Sequence, residues 1–188
     1  MKAHGEATAR PATLPLRSGS PMPVLGLGTW KGLIRAKRDG LTRDIGVSNY
    51  PIDLIRDLAS ATGEVPAVKQ IEWSPFGHSE EMLRFCREQR IVIQAYSPLT
   101  RATRLDDDAL ARIALRHAKT AAQVLIRWNL QLGTVPLPKA NRRTHLEENL
   151  EVFDFTLGDE DMEALAGLNE HWSALGGLPY VSSEPGSQ

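Results

Sequence analysis

Residues 134–155, TVPLPKANRRTHLEENLEVFDF, join a short apolar segment, a basic turn and a helix-like segment without a break. Residues 134–138 are mostly apolar and lie between Gly133 and a polar turn, as expected of a strand covered on both faces. Pro136 and Pro138 restrict its regular pairing. Lys139, Arg142 and Arg143 follow directly, and Thr144-His145-Leu146-Glu147 has the Thr-x-x-Glu spacing of a capping box. The spacing predicts a helix from about Thr144. Three cations then gather at the positive end of a helix dipole, where free backbone N–H groups favour an anion such as phosphate. The same residues also read as a solvated loop with ordinary surface charges.

Working outward, the same strand-then-helix unit recurs. Strands are predicted at 24–30, 44–48, 67–73, 91–96 and 134–138, and helices at 33–43, 52–61, 80–89, 107–117, 121–132 and 159–168, besides the one after Thr144. Thr120-Ala121-Ala122-Gln123 supplies a second capping box. Residues 14–16 and 22–25 flank a turn-rich stretch and suit a short hairpin. Residues 1–13 read as a disordered leader, leaving 14–188 as one domain. Strands alternating with helices imply crossover connections and a parallel sheet, hence an α/β fold.

Composition excludes some function classes. The chain has 188 residues with 22 basic and 23 acidic side chains, a formal net charge of -1, so nothing in the balance calls for nucleic acid or an anionic membrane. No run approaches the ~20 apolar residues of a membrane span. Cys86 is the only cysteine, which is compatible with a reducing, cytoplasmic setting. The five histidines and one cysteine show no metal-ligand spacing.

In parallel sheets of this kind ligands sit beyond the carboxyl ends of the strands. The residues there are Ser48, Asn49, Gln70, Glu72, Tyr96, Ser97 and Lys139. Hydroxyl and amide groups suit the edge of a carboxamide, Tyr96 can stack on a flat ring, and Lys139 can meet a phosphate. Each also has a structural reading: Ser48 and Asn49 as turn formers, Gln70 bonded to backbone, Tyr96 as a half-buried aromatic.

The motifs Gly26-Leu27-Gly28-Thr29-Trp30, Ile45-Gly46-Val47-Ser48-Asn49-Tyr50, Gln70-Ile71-Glu72-Trp73, Gln94-Ala95-Tyr96-Ser97-Pro98-Leu99, and Leu137-Pro138-Lys139 through residues 148–155 resemble, in this order, those of the aldo-keto reductases. The resemblance implies a TIM-type (β/α)8 barrel that binds NADP(H) and reduces small aldehydes or ketones. It would place Ser48, Asn49 and Gln70 on the nicotinamide carboxamide and Tyr96 on its ring. Ser97 and Leu99 would line the pyrophosphate, Lys139 would meet the 2′-phosphate, and Glu148 and Asn149 the adenine. Thr29 and Trp30 would lie near the nicotinamide and the carbonyl substrate.

This sequence also departs from the family's pattern. His145 stands where an arginine is common, Ala140 where a serine is common, and Lys69 where an asparagine usually precedes the glutamine; Arg142 or Arg143 would supply the missing cation. Between Trp30 and Leu33 the family normally carries a helix, three strands and two further helices with the catalytic Asp, Tyr, Lys and His. Here Lys31-Gly32 bridges that interval, so no catalytic residue is assigned. The expectation is an incomplete barrel of about five strands whose activity is impaired, or alternatively a catalytically silent nucleotide-binding remnant. Two open sheet edges would favour self-association.

Overall fold

The computed structural model describes residues 13–15, 21–23 and 29–177. Residues 1–12 of the expected leader, and 24–28 of the first expected barrel strand, lie outside the described residues. The chain divides into two compact units, Met1–Arg43 and Asp44–Gln188. In the first, β1 (Thr13–Pro15) pairs antiparallel with β2 (Pro21–Pro23), Leu14 opposite Met22, so the expected hairpin forms one residue early. Helix α1 (Thr29–Arg38) starts four residues before the expected position, and Thr29 and Trp30 open it rather than end a strand. Arg35, Lys37 and Arg38 occupy its last turn, where cations oppose the negative end of the dipole. Gly40, at φ 73°, ends it with Leu41 N–H donating back to the Ala36 carbonyl at 2.8 Å.

The second unit repeats strand and helix. Its parallel sheet runs β3 (Gly46–Ser48), β4 (Val68–Glu72), β5 (Val92–Tyr96), β6 (Val135–Leu137), in sequence order. Helix α2 (Ile52–Thr62) connects β3 to β4, and α3 (Glu80–Glu88) connects β4 to β5. Helices α4 (Asp108–Arg116) and α5 (Ala121–Gln131) connect β5 to β6, and α6 (Arg143–Leu150) and α7 (Asp159–Ala166) close the series. Among the described residues four parallel strands are present where the sequence suggested about five. The fold is an incomplete α/β barrel of the TIM type, since closure takes eight strands.

Burial follows the strand period of two. Val47, Lys69 and Ile93 are neighbours in register and are all buried, as are Ile71 and Ala95 one pleat further on. Against this face α3 places Met82, Phe85 and Cys86, a spacing that puts all three on one stripe. Ser79 caps α3 by accepting from Met82 N–H at 3.1 Å, and Glu80 and Glu81 suit its positive end. Trp73, Phe76, Leu110, Leu125 and Trp128 complete the core.

Two caps behave differently. At α5 the expected box forms: Thr120 accepts from Gln123 N–H at 3.3 Å, and the Gln123 amide oxygen accepts from Thr120 N–H at 3.0 Å. At α6 it does not. The helix starts at Arg143, so Thr144 lies inside its first turn; Arg142 is the N-cap and, having no acceptor, makes no side-chain cap bond, while Glu147 pairs with Arg143 at 2.7 Å. Helix α7 is tied to the end of α4 through Asp161, which pairs with Arg116 and accepts from His117 Nε2 at 2.7 Å. Burial alone would raise the Asp161 carboxyl, yet bonds from His117 and Arg116 hold it below the usual range.

Candidate functional site at the carboxyl ends of the strands

Register brings the predicted residues into two adjoining rows. Ser48, Gln70 and Gln94 are opposite one another on β3, β4 and β5, and Glu72, Tyr96 and Leu137 on β4, β5 and β6. In the first row Gln70 Nε2 donates to Gln94 Oε1 at 2.8 Å, which holds the amide plane and leaves Gln70 Oε1 as an acceptor. Ser48 is exposed at its strand end. Asn49 follows at φ 58°, a left-handed conformation its side chain tolerates, and donates its N–H to the Gln70 carbonyl at 3.0 Å. Its Oδ1 accepts from Tyr96 OH at 2.9 Å, leaving Nδ2 as a donor. Tyr96 is half-buried, and that burial raises its phenol above the ordinary value.

Beyond Tyr96 the chain makes a tight left-handed turn. Ser97 has φ 48°, and Thr100, Arg101 and Ala102 have φ of 52°, 52° and 65°. Thr100 N–H donates to the Ser97 carbonyl at 2.9 Å and Ala102 N–H to the Leu99 carbonyl at 2.8 Å, so Ser97 and Leu99 are fixed as the rim beside Tyr96. Such conformations cost non-glycine residues free energy and cluster at binding sites.

The basic turn follows β6, the strand next to β5. Lys139 and Arg142 are exposed, and among the described residues neither forms an ion pair, whereas Arg143 is held by Glu147. Of the two arginines considered as the second cation, Arg142 is therefore the one available. Glu148 and Asn149 are half-buried further along α6. The Glu148 carboxylate accepts from Thr120 Oγ1 and its carbonyl from Gln123 Nε2 at 3.0 Å, so this side chain is already engaged by the cap of α5. Thr29 and Trp30 belong to the first unit.

The profile of the Aldo/keto reductase family matches residues 20–170. The chain belongs to the aldo/keto reductase family. An aldo-keto reductase of Mycolicibacterium paratuberculosis is 40% identical over 152 residues, covering 80% of this chain and 53% of the relative. The glyoxal reductase of Bacillus subtilis is 38% identical, with 76% of this chain and 51% of the relative covered. The Bombyx mori aldo-keto reductase solved in complex with NADP superposes with a TM-score of 0.73 at 30% identity, covering 86% and 56%. The chain thus spans about half the length of the relatives it matches.

Within this aldo/keto reductase several site features escaped sequence reading. Gln94 is the partner that orients Gln70; its place two residues before Tyr96 was the available signal. Glu72 is buried and satisfied internally, its carboxylate accepting from Ser173 Oγ at 2.5 Å and Ala174 N–H at 2.8 Å. The segment that reaches it is pinned by Glu170 and Trp172 N–H, both donating to the Phe76 carbonyl at 3.0 Å, and by Arg104, which grips Glu170 through both carboxylate oxygens at 3.0 and 3.1 Å. Gly77 permits that approach, since a Cβ there would lie 1.9 Å from the Trp172 carbonyl oxygen. No sequence motif marks 173–174. Lys69 is fully buried and donates Nζ to the Tyr50 carbonyl; burial lowers it to about 8 against the opposing influence of Cys86, whose thiol burial pushes up to about 11. Among the described residues no group of three or more potential metal ligands occurs.

The donor set fits a nicotinamide carboxamide. Such a group needs an acceptor for its NH2 and a donor for its oxygen; Gln70 Oε1 offers the first, and Asn49 Nδ2 or the Ser48 hydroxyl the second. Lys139 and Arg142 beside the first turn of α6 fit a phosphate.

Proposed function

We propose that this chain is an NADP(H)-binding oxidoreductase of aldo/keto reductase type, directed at small aldehydes or ketones, that holds the dinucleotide but is impaired in turnover. The observation that carries the reading is the hydrogen-bonded row of Ser48, Asn49, Gln70 and Tyr96, continuing into Ser97 and Leu99 and the unpaired cations Lys139 and Arg142. Ser48, Asn49 and Gln70 orient the carboxamide, and the ring of Tyr96 supports one face. Lys139, with Arg142, takes the 2′-phosphate. Asn149 contacts the adenine, and Glu148 joins it by turning from Thr120. The names of two relatives, a glyoxal reductase and a reductase complexed with NADP, support this substrate class and this cofactor.

When bound, the reduced dinucleotide supplies the hydride. A carbonyl oxygen that gains a pair of electrons then needs a proton donor of tuned pKa. This chain carries no Asp, Tyr, Lys and His set in a context matching the family's catalytic segment. The second reading, a silent nucleotide-binding protein, rests on the same absence. A reducing, cytoplasmic setting suits the buried thiol of Cys86, and no helix among the described residues is long and apolar enough to cross a membrane.

With glyoxal and a panel of small aldehydes, NADPH oxidation by the wild-type chain is expected to equal that of a Tyr96→Ala control. Steady oxidation above that control would contradict impaired turnover and direct attention to a donor elsewhere in the chain.

A further inference from the structure

The two faces of the four-stranded sheet are unequal. One face, carrying Val47, Lys69, Ile71, Ile93 and Ala95, is buried. The other carries Val92, 44% exposed, Val135, 44% exposed, and Leu137, 39% exposed, alternating along each strand with the buried set. In a closed barrel this second face is the packed interior. The sheet's two outer strands, β3 and β6, each have one neighbour among the described residues. This face also carries Ser48, Gln70, Glu72, Gln94 and Tyr96, with residues 173–174 reaching Glu72 at its carboxyl end; among the described residues it therefore joins exposed apolar side chains to two strand edges without a neighbour, a combination that invites pairing with another chain.

We propose that the occupant of this surface is a second copy of the chain, the two sheets closing into one eight-stranded parallel barrel. A two-fold axis along the strands keeps all eight parallel and sets β6 of each copy beside β3 of the other. Both unlike edges are then satisfied at once, so assembly stops at two instead of continuing as a filament. Four strands from each copy make the eight that closure requires. The chain spans 53% and 51% of two relatives, so two copies restore about one full barrel length. A net charge of -1 per chain opposes association only weakly. Pro136 has no N–H to donate to either edge of β6, and the apolar contacts of Val92, Val135 and Leu137 add to the strand bonding at that seam.

The test is solution mass by light scattering across a micromolar dilution series of the full chain. The wild type is expected at twice its 20.7 kDa mass. Leu137→Lys and Val92→Lys, which place a charge in the closed interior, are expected to weaken association by roughly a hundredfold or more. Leu115→Lys, on the outer surface of α4 where Leu115 is 83% exposed, is expected to leave it unchanged. Should the interior variants fail to fold, hydrogen exchange of the wild type decides: protection of β3 and β6 amides must rise with concentration. A monomer at every concentration would mean that the edges need no second copy, and would overturn the proposal. A dimer indifferent to both interior variants, or exchange at β3 and β6 that ignores concentration, would overturn it equally.

Discussion

Lys69 sits fully buried on the helix-facing side of β4, its Nζ held by the Tyr50 carbonyl, and Cys86 on α3 is close enough for their charges to interact. Each group favours the charged form of the other, but burial outweighs that attraction: it lowers the ammonium to about 8 from 10.5 and raises the thiol to about 11 from 9.0. Below pH 8 the folded chain carries a buried cation at a cost that the unfolded chain lacks. Between pH 8 and 10.5 the unfolded state binds more protons at this lysine, so stability rises with pH. Above pH 9 the unfolded thiol loses its proton first, and that contribution makes stability fall. The net expectation is a rise confined to about pH 8–9 in the denaturant midpoint. In Lys69→Met that rise should vanish, and the variant should be more stable than wild type at pH 7. A wild-type midpoint flat across pH 7–9 would show that the ammonium is better solvated than its burial implies.

At the scale of elements, α5 depends on Thr120 twice. Its hydroxyl accepts from Gln123 N–H and donates to Glu148, joining the start of α5 to the end of α6. Thr120→Ala removes both, with an expected loss of about 1–2 kcal/mol in urea unfolding; Thr120→Ser, which keeps the hydroxyl, should recover most of it. Much of this architecture was legible in the sequence because local signals and burial agree. The α5 capping box forms at Thr120, and the strands at Gly46–Ser48, Val68–Glu72, Val92–Tyr96 and Val135–Leu137 fall inside the expected ranges. Failures occurred where a remote or competing partner decides. Helix α6 begins at Arg143, which leaves Thr144 inside the first turn and Glu147 paired with Arg143. Helix α1 takes Thr29 and Trp30, read as strand, because the short Lys31-Gly32 link continues a helical run into the basic segment. The strand-end polar row could be foreseen from topology, but the capture of Glu72 by Ser173 and Ala174 could not, because the partners are about a hundred residues apart and carry no shared pattern.

At the scale of the whole molecule, the chain spans about half the length of the aldo/keto reductases it matches, and the proposed reading puts the dinucleotide on the residues it keeps while Lys31-Gly32 stands where the family's acid–base set is expected. On that reading cofactor recognition and proton delivery would be separable along the chain, the former assigned to β3 to α6. Binding energy without a donor gives occupancy without turnover, since only interactions specific to the transition state raise the rate. The most direct measurement is a fluorescence titration of the wild-type chain and Lys139→Ala with NADPH and with NADH, thermal melting being followed alongside. Saturable NADPH binding that weakens about tenfold or more in the variant, as expected for loss of one charge-assisted contact, with NADH affected far less, is the predicted result. Equal NADPH affinity in both proteins, or no saturation by a chain that melts cooperatively, would contradict the placement of the dinucleotide at these strand ends.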